Sequence, residues 1–278
     1  MVNFLKRGNT ARRRGSLAGI PASLWRRVSL ARGRLLMLDY DGTLAPFRVA
    51  RHEARPSART LRLLRAIAGS AHTSVAIVSG RPLREVERLI GALPAVFVGE
   101  HGWERRGRDG RVDRVPLAHS VSATIDEAER AARSLGWGRW LERKRSAVVL
   151  HTRAMPEAEA RDVRDRCVAL WRPLAAPGHV SVDRIDGGME LRARGRNKGL
   201  VALSLLSESP PGTLGVFVGD DVTDEDAFDA LRDRGFGVRV GGGDRPSLAL
   251  GHLPSPDAVP DFLEEWVRVT EPPEGARS

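Results

Sequence analysis

Two aspartates stand two residues apart at the end of an apolar segment. The stretch "RLLMLDYDGTLAPF" (residues 34–47) places Asp39 and Asp41 directly after four apolar residues. In an extended chain, side chains i and i+2 point the same way and lie roughly 6.5–7 Å apart. Such carboxylates repel each other and resist burial, but they can flank one small reacting group. The pair therefore predicts a catalytic site in which something offsets the negative charge.

A second acidic segment has the same form. The stretch "VFVGDDVTDEDAF" (residues 216–228) places Asp220 and Asp221 after an apolar run and a glycine, with Asp224 three residues later. Clustered carboxylate oxygens attract hard cations, and Mg²⁺ typically takes one or two carboxylates with water and substrate oxygens. Asp224 alone could simply cap the following helix. The same pattern at two strand ends instead favours a shared Mg²⁺ site.

Two further segments supply groups that bind phosphate. "VAIVSGR" (residues 75–81) ends a third apolar strand with Ser79 and Gly80, whose hydroxyl and N–H groups can hold phosphate oxygens. "RNKGL" places Lys198 at the start of a helix, where its ammonium can neutralise another oxygen. Two carboxylates without a metal would favour glycoside hydrolysis. The second acidic site and Lys198 favour phosphoryl transfer.

Strands and helices alternate in the first and last thirds of the chain. The predicted strands are 34–40, 72–80, 95–102, 214–221 and 235–241. The predicted helices are 57–70, 82–93, 197–209 and 223–235, the last capped by Gly235. This alternation predicts an α/β fold with a doubly wound parallel sheet. Ligands bind such sheets beyond the carboxyl ends of the strands, where the acidic and phosphate-binding segments fall.

The middle of the chain has a different pattern. A hairpin turning at Asp109-Gly110 is followed by helices, paired strands and a lone Cys167 at helical spacing, which predicts a buried thiol. We expect an inserted α+β cap domain. The expected divisions are a flexible basic arm over 1–30, a core over 31–106 and 190–270, a cap over 107–189 and a tail over 271–278.

The charge of the chain is concentrated at its start. The formal net charge is +10, but residues 1–34 carry nine basic residues and no acid, which leaves 36 basic and 35 acidic residues elsewhere. We therefore expect no nucleic-acid binding by the core; a noncatalytic module that binds a polyanion through the arm is an alternative. No apolar run approaches the ~20 residues of a membrane span. The single cysteine suits a reducing compartment, and we expect a cytoplasmic protein.

The set "DYDGTL", "VSGR", "NKG" and "GDDVTDEDAF" resembles the four motifs of haloacid-dehalogenase (HAD) superfamily phosphatases, across residues ~34–270. The resemblance implies a HAD-like core in which Asp39 is the nucleophile that forms an aspartyl-phosphate. Asp41 would protonate the leaving oxygen and then activate water. The implied Mg²⁺ ligands and supporting residues are Asp39, the backbone carbonyl of Asp41, Asp220, Asp221 and Asp224. The implied phosphate-binding residues, with those that shape the adjoining loop, are Gly42, Thr43, Ser79, Gly80 and Lys198.

Segments in and beside the inserted region resemble the trehalose-6-phosphate phosphatase family. They are "GEHGWE", "LERKRS", "LHTRA" and "GGMELRA", with Thr152 at a position where that family usually has tyrosine. The implied substrate-binding residues are His101, Glu104, Glu142, Lys144, His151, Arg153 and Glu190. The resemblance implies a phosphoric monoester hydrolase of trehalose biosynthesis that converts trehalose 6-phosphate, a small sugar phosphate, to trehalose and phosphate.

Alternatives to this assignment remain. A related enzyme acting on sucrose phosphate or a mannosyl-phosphoglycerate would carry the same phosphate-site motifs. From the residues alone, His151 could be a core histidine, and Glu104 could pair with arginines of the hairpin. The cap is expected to choose the substrate and exclude water from the site.

Overall fold

The structure, a computed structural model, describes residues 15–48, 51–185, 187–243 and 245–271. The chain divides into two compact units. The first contains the described residues up to Val112 and those from Asn197 onward, and the second spans Asp113–Arg196. The expected cap was 107–189, whereas the second unit spans 113–196. Its end includes the strand Gly188–Ala193, which pairs within the unit.

The elements follow one another along the chain as helices and short strands. The strands are β1 (Arg34–Leu38), β2 (Thr73–Val78), β3 (Val96–Gly99), β4 (Glu104–Arg106), β5 (Val112–Arg114), β6 (Leu141–Arg143), β7 (Ala147–His151), β8 (Val180–Ile185), β9 (Gly188–Ala193), β10 (Leu214–Gly219), β11 (Gly235–Val240) and β12 (Gly251–Leu253). The α-helices are α1 (Ala22–Leu30), α2 (Ala58–Ala68), α3 (Leu83–Ile90), α4 (His119–Ser134), α5 (Glu157–Trp171), α6 (Lys198–Ser207), α7 (Glu225–Ala230) and α8 (Val259–Thr270).

The first unit is built on a sheet with the strand order β12-β11-β10-β1-β2-β3-β4, and β5 follows β4 in that order at the division between the units. The strands from β12 to β3 are parallel, and β4 is antiparallel to β3. Leu36 and Leu38 of β1 pack with apolar residues of α1, α2, α3 and α8, whereas Leu35 and Met37 pack with α6 and α7. Because side chains alternate along a strand, both faces of the sheet are covered. The predicted doubly wound α/β core is confirmed.

The central position of β1 sets the location of the site. Its neighbours are β10 on one side and β2 on the other, both parallel to it. The carboxyl ends of the three strands therefore meet at one edge of the sheet. Asp39, Ser79 and Asp220 follow directly after these three strands.

The prediction of a flexible arm over residues 1–30 was wrong for its last nine residues. Ala22–Leu30 forms the helix α1, with Leu24 and Val28 fully buried and the Trp25 ring 5.0 Å from the Phe262 ring of α8. These apolar residues are spaced for one helical face, but the surrounding arginines obscure that pattern in the sequence. Residues 1–14 of the arm lie outside the described residues, as do 272–278 of the predicted tail.

The predicted helix 223–235 was too long. A 3₁₀ turn spans Val222–Asp224, α7 ends at Ala230, and Gly235 opens β11 rather than capping the helix. The pairing of Gly235 with Gly215 of β10 begins the strand there. Sheet pairing thus overrides the helical pattern of the charged residues that precede it.

The second unit contains the antiparallel sheet β6-β7-β9-β8 with α4 and α5. Val148, Leu150 and Leu191 are fully buried, and the Trp171 indole of α5 donates to the Ala128 carbonyl of α4 at 3.0 Å. The expected α+β insertion is confirmed, with Cys167 a buried free thiol as predicted. Across the described segments of both units, no helix combines the length and apolar character that a membrane crossing requires.

Candidate active site

Asp39 and Lys198 form the centre of the site. Asp39 follows β1, where its N–H donates to the Val218 carbonyl of β10 at 2.9 Å. Lys198 is the first residue of α6, and Asn197 caps that helix by accepting the Leu200 N–H at 2.8 Å. The Lys198 Nζ lies 2.8 Å from the Asp39 Oδ1, and both residues are at most 4% exposed. The end of β1 and the start of α6 therefore hold the Asp39–Lys198 ion pair in a buried position.

Two further carboxylates join this pair. Asp224 is fully buried, with its Oδ1 accepting from the Lys198 Nζ at 2.7 Å and its Oδ2 accepting from the Asp221 N–H at 2.8 Å. Asp39, Asp220 and Asp224 each offer a carboxylate oxygen within 4.8 Å of the other two. All of these donor atoms are hard oxygens, so the set suits Mg²⁺.

The electrostatics of this cluster reflect burial and an excess of negative charge. Desolvation raises the pKa of Asp39 well above its usual value; Lys198 opposes the shift, and Asp224 adds to it. Desolvation also raises the pKa of Asp224. The pKa of Asp220 is raised to about 7, first by desolvation and then by the nearby negative charge of Asp224. Burial alone would lower the pKa of Lys198, but Asp224 and Asp39 outweigh it and raise that pKa. The ammonium stays charged and is shared by the Asp39 and Asp224 carboxylates, with Asp220 close to both.

Asp221 has a different geometry from its neighbours. Its side chain accepts the Val222 N–H at 2.7 Å and, together with Asp224, forms a capping box at the turn Val222–Asp224. Asp221 lies outside the cluster of three carboxylates. Its contacts orient the turn that carries Asp224.

The loop after Asp41 approaches Asp220 closely. Gly42 has a φ of +70°, and a Cβ there would lie 2.1 Å from the Asp220 Oδ2. Only glycine therefore fits this position. Thr43 donates from its hydroxyl to the Asp220 Oδ1 at 3.2 Å. The predicted loop residues thus support the acidic cluster from the β1 side.

Ser79 and Gly80 lie beside His101. The Ser79 N–H donates to the Val98 carbonyl at 2.9 Å, and the His101 N–H donates to the Ser79 carbonyl at 3.0 Å. A Cβ on Gly80 would lie 2.6 Å from the His101 Nε2, so the imidazole occupies the space over the glycine. His101 has a φ of +56° and follows Glu100 at +47°. Two consecutive non-glycine residues with positive φ indicate backbone strain that the surrounding structure maintains.

Asp41 is held by Arg81, which was not among the predicted site residues. The Arg81 Nη2 lies 2.5 Å from the Asp41 Oδ1, and its Nε donates to the Asp41 Oδ2 at 2.7 Å. The Arg81 Nη1 donates to the Arg51 carbonyl at 3.0 Å and to the Glu85 carboxylate. The only signal in the sequence was its place as the last residue of "VSGR".

Glu104 accepts a backbone hydrogen bond at the start of α3. It is buried, and its Oε2 accepts the Leu83 N–H at 3.0 Å, at the start of α3. A carboxylate at a helix N-terminus satisfies a backbone donor and interacts favourably with the helix dipole. The Glu104 side chain is thus placed by a helix cap.

Four of the predicted substrate-binding residues form two pairs on the sheet of the second unit. The His151 Nε2 lies 2.8 Å from the Glu142 Oε2, and the Lys144 Nζ lies 2.9 Å from the Glu190 Oε1. The strand register sets Glu142 and Glu190 on either side of Val149, so these carboxylates share one sheet face. Lys144 and Glu190 are both buried.

The segment after β7 carries Thr152 and Arg153. The Thr152 N–H donates to the Gly187 carbonyl at 2.7 Å, and its hydroxyl accepts from the Arg164 Nη1 at 3.2 Å. Thr152 is buried. Arg153 lies beside Gly187, where a Cβ would be 2.8 Å from the Arg153 Nε. Threonine at this position thus connects the strand end to α5.

Solved structures identify the class of fold. The C-terminal domain of a trehalose-6-phosphate phosphatase from C. albicans superposes with a TM-score of 0.77 at 23% identity, over 88% of this chain and 96% of that one. A structure of a HAD-superfamily phosphatase from Bacteroides thetaiotaomicron gives a TM-score of 0.58 at 19% identity, over 89% and 97% of the two chains. The fold is that of the HAD superfamily.

The family follows from the sequence comparisons. The family model described as trehalose-phosphatase matches residues 37–249, and the chain belongs to that family. A bifunctional trehalose-6-phosphate synthase/phosphatase from Thermoproteus tenax is 34% identical over 84% of this chain, and a trehalose-phosphate phosphatase from Mycobacterium marinum is 31% identical over 82%. The chain spans 32% of the first relative and 60% of the second.

Proposed function

We propose that the chain hydrolyses trehalose 6-phosphate to trehalose and phosphate. The observation that carries the proposal is the Asp39 carboxylate, which lies 2.8 Å from the Lys198 ammonium within a cluster of three carboxylates. Membership of the trehalose-phosphatase family and the names of the relatives support this substrate. The lone buried thiol is consistent with a cytoplasmic site of action.

In the proposed reaction, a carboxylate oxygen of Asp39 attacks the phosphorus and forms an aspartyl-phosphate as the bond to the sugar oxygen breaks. Asp41 gives its proton to that leaving oxygen. Asp41 then takes a proton from the water that attacks the aspartyl-phosphate, which releases phosphate and restores Asp39. Covalent catalysis of this kind divides one slow displacement into two easier steps.

The remaining residues of the site hold the phosphoryl group. Lys198 offsets charge on the phosphoryl oxygens, because its ammonium is fixed beside Asp39. The Ser79 hydroxyl and the backbone at Gly80 provide hydrogen bonds at the end of β2, while Gly42 and Thr43 shape the adjoining loop. These roles require the short distances that the strand ends provide.

Mg²⁺ is the proposed cofactor. Asp39, Asp220 and the backbone carbonyl of Asp41 would hold the ion, with Asp224 and the turn of Asp221 supporting them. The bound ion would offset the negative charge of the carboxylates and of the phosphoryl group. The fit rests on three carboxylate oxygens within 4.8 Å of one another and only one buried ammonium beside them.

The sugar is proposed to be recognised by polar side chains outside the phosphate site. Neutral hydroxyl groups require donors and acceptors in fixed positions. The pairs Glu142–His151 and Lys144–Glu190 present both kinds of group on one unit. The other proposed substrate-binding residues are His101, Glu104 and Arg153.

A panel of phosphosugars tests the substrate. Phosphate release would be measured from trehalose 6-phosphate, sucrose 6-phosphate, mannosyl-3-phosphoglycerate and glucose 6-phosphate, each with Mg²⁺ or with a chelator. We expect the highest kcat/KM on trehalose 6-phosphate and loss of turnover in the chelator. Equal turnover on all four esters would contradict the substrate. A chain without residues 1–14 should keep its full activity if catalysis, rather than polyanion binding, is the function.

A further inference from the structure

Arg81 is the most deeply buried charged group at the site with no part in the proposed reaction. It is 2% exposed, and its guanidinium carbon lies 5.1 Å from the centre of the Tyr40 ring. A buried guanidinium is costly unless its donors are satisfied. Here they meet both oxygens of Asp41, the Glu85 carboxylate and the Arg51 carbonyl.

The backbone of Arg81 is fixed as firmly as its side chain. Its N–H donates to the Ser79 hydroxyl at 3.1 Å, and its carbonyl accepts the Glu100 N–H at 2.9 Å. One residue therefore connects the phosphate-binding end of β2 to the carboxylate of Asp41. A planar guanidinium that bonds both carboxylate oxygens sets the direction of that carboxylate as well as its distance.

We propose that Arg81 is a positioning residue that orients the Asp41 carboxyl for proton transfer to and from the reacting oxygens. This inference rests on the proposed function, because it assumes that Asp41 is the proton donor and acceptor. Arg81 itself need not touch the substrate. Its role is to fix Asp41 relative to Ser79, and thus relative to the phosphoryl group.

The role predicts a dependence on the leaving group. A sugar oxygen is a poor leaving group and needs a proton as its bond to phosphorus breaks, whereas nitrophenolate leaves without one. The ratio kcat/KM reports the steps up to formation of the aspartyl-phosphate. A misplaced Asp41 should therefore lower kcat/KM for a sugar phosphate and spare kcat/KM for p-nitrophenyl phosphate.

The test compares Arg81→Lys with the matched control Arg59→Lys. Arg59 also makes two ion pairs in the first unit, at 2.8 Å to Asp261 and 2.7 Å to Glu264 of α8. For Arg81→Lys we expect kcat/KM to fall by about 10²-fold on trehalose 6-phosphate, within the range for a single general acid, and by less than about 3-fold on p-nitrophenyl phosphate. Arg59→Lys should leave both values near wild type.

A double-mutant cycle with Asp41→Asn gives the second readout. If Arg81 acts through Asp41, adding Arg81→Lys to Asp41→Asn should cause no further loss on the sugar phosphate. If Arg81→Lys does not fold, Glu85→Gln weakens the support of Arg81 without changing Asp41 and should show the same leaving-group split in smaller measure.

Equal losses on the two esters, no loss on either, or fully additive effects in the cycle would overturn the positioning role. The comparison can be made with any sugar phosphate that the wild-type chain hydrolyses. Preference for an ester other than trehalose 6-phosphate would therefore overturn the substrate assignment alone. A wild-type chain that hydrolyses no phosphate monoester would overturn both proposals.

Discussion

The two clusters of charged residues in this molecule are balanced differently. In the first unit, Asp39 and Asp224 share the single ammonium of Lys198, and Asp220 lies close to both carboxylates. In the second unit each group has its own partner, Lys144 with Glu190 and Glu142 with His151. The first cluster carries an excess of negative charge that a divalent cation would neutralise, whereas each carboxylate of the second has a side-chain nitrogen within 2.9 Å.

The difference in charge balance between the two clusters suits two different roles, catalysis and ligand recognition. Buried, excess charge is costly to maintain and is typical of sites where charge develops during a reaction. Paired polar groups already satisfy each other and can exchange their hydrogen bonds for those of neutral hydroxyls. We therefore expect bond making at the first cluster and recognition at the second, and each prediction that follows tests this division.

The largest effect is expected for Asp39→Asn. An amide cannot take up the phosphoryl group, so turnover of both trehalose 6-phosphate and p-nitrophenyl phosphate should fall by at least ~10⁴-fold, the scale typical of losing a nucleophile. Phosphate release measures this loss. Asp229→Asn, on the exposed side of α7, is the matched control and should keep wild-type rates. Retained turnover in Asp39→Asn would remove the nucleophile assignment.

A smaller and more selective effect is expected for Lys144→Met. The change removes a donor and, with it, the ion pair between Lys144 and the buried Glu190 carboxylate. We expect kcat/KM for trehalose 6-phosphate to fall by roughly 10–100-fold, which corresponds to one lost polar contact of about 1.5–3 kcal/mol, with little change for p-nitrophenyl phosphate. Steady-state kinetics on both esters checks this, after circular dichroism shows that the variant is folded. A comparable loss on both esters would place Lys144 outside sugar recognition.

The acidic cluster should make the metal-free protein less stable at higher pH. Desolvation raises the pKa of Asp220 to about 7, above its ordinary value, so the folded chain binds this proton more tightly than the unfolded chain does. The resulting stability is present at acidic pH and is lost as the pH rises through about 7. We expect the Tm with chelator to fall by about 2–4 °C between about pH 5 and pH 8.

Two controls sharpen the pH experiment. Mg²⁺ should remove the decline, because a bound cation stabilises the ionised carboxylates. Asp220→Asn should make the decline smaller without metal, since Asp39 and Asp224, whose pKa values are also raised, remain. A metal-free Tm that rises over this pH range would contradict the excess of negative charge.

The smallest effect is expected for Thr152→Val, which removes a buried hydroxyl that accepts from Arg164 and donates to the Gly187 carbonyl. The loss of these hydrogen bonds at a buried site should cost about 1–3 kcal/mol of unfolding free energy. Urea denaturation measures that cost, and kcat on trehalose 6-phosphate should stay near wild type. A large loss of kcat would show that the strand end carrying Thr152 takes part in catalysis.

The parallel sheet and most residues of the phosphate site could be predicted from the sequence, because the ends of buried strands are visible as apolar runs followed by polar residues. Apolar runs that stop at Asp39, Ser79 and Asp220 indicate parallel strands, and parallel strands bring their carboxyl ends together. The pairing of Lys144 with Glu190 could not be predicted, since it depends on the register of β7 and β9. Arg81 was missed for the same reason: its contact with Asp41 joins residues forty positions apart.

The helix α1 was missed for a different reason. Its buried positions, Leu24 and Val28, are few and lie among arginines, so the charge dominates the pattern. Packing against α8 supplies the stability that the local sequence lacks. Tertiary contacts of this kind have no signature within a short window.

Trapping the phosphorylated protein tests directly whether Asp39 is the nucleophile. The chain would be mixed with trehalose 6-phosphate carrying a radiolabelled phosphoryl group, quenched in acid within the first turnover, and digested. We predict label on the peptide that contains Asp39, released by hydroxylamine and absent from Asp39→Asn. A protein that releases labelled phosphate while Asp39 never carries the label would rule out the aspartyl-phosphate intermediate.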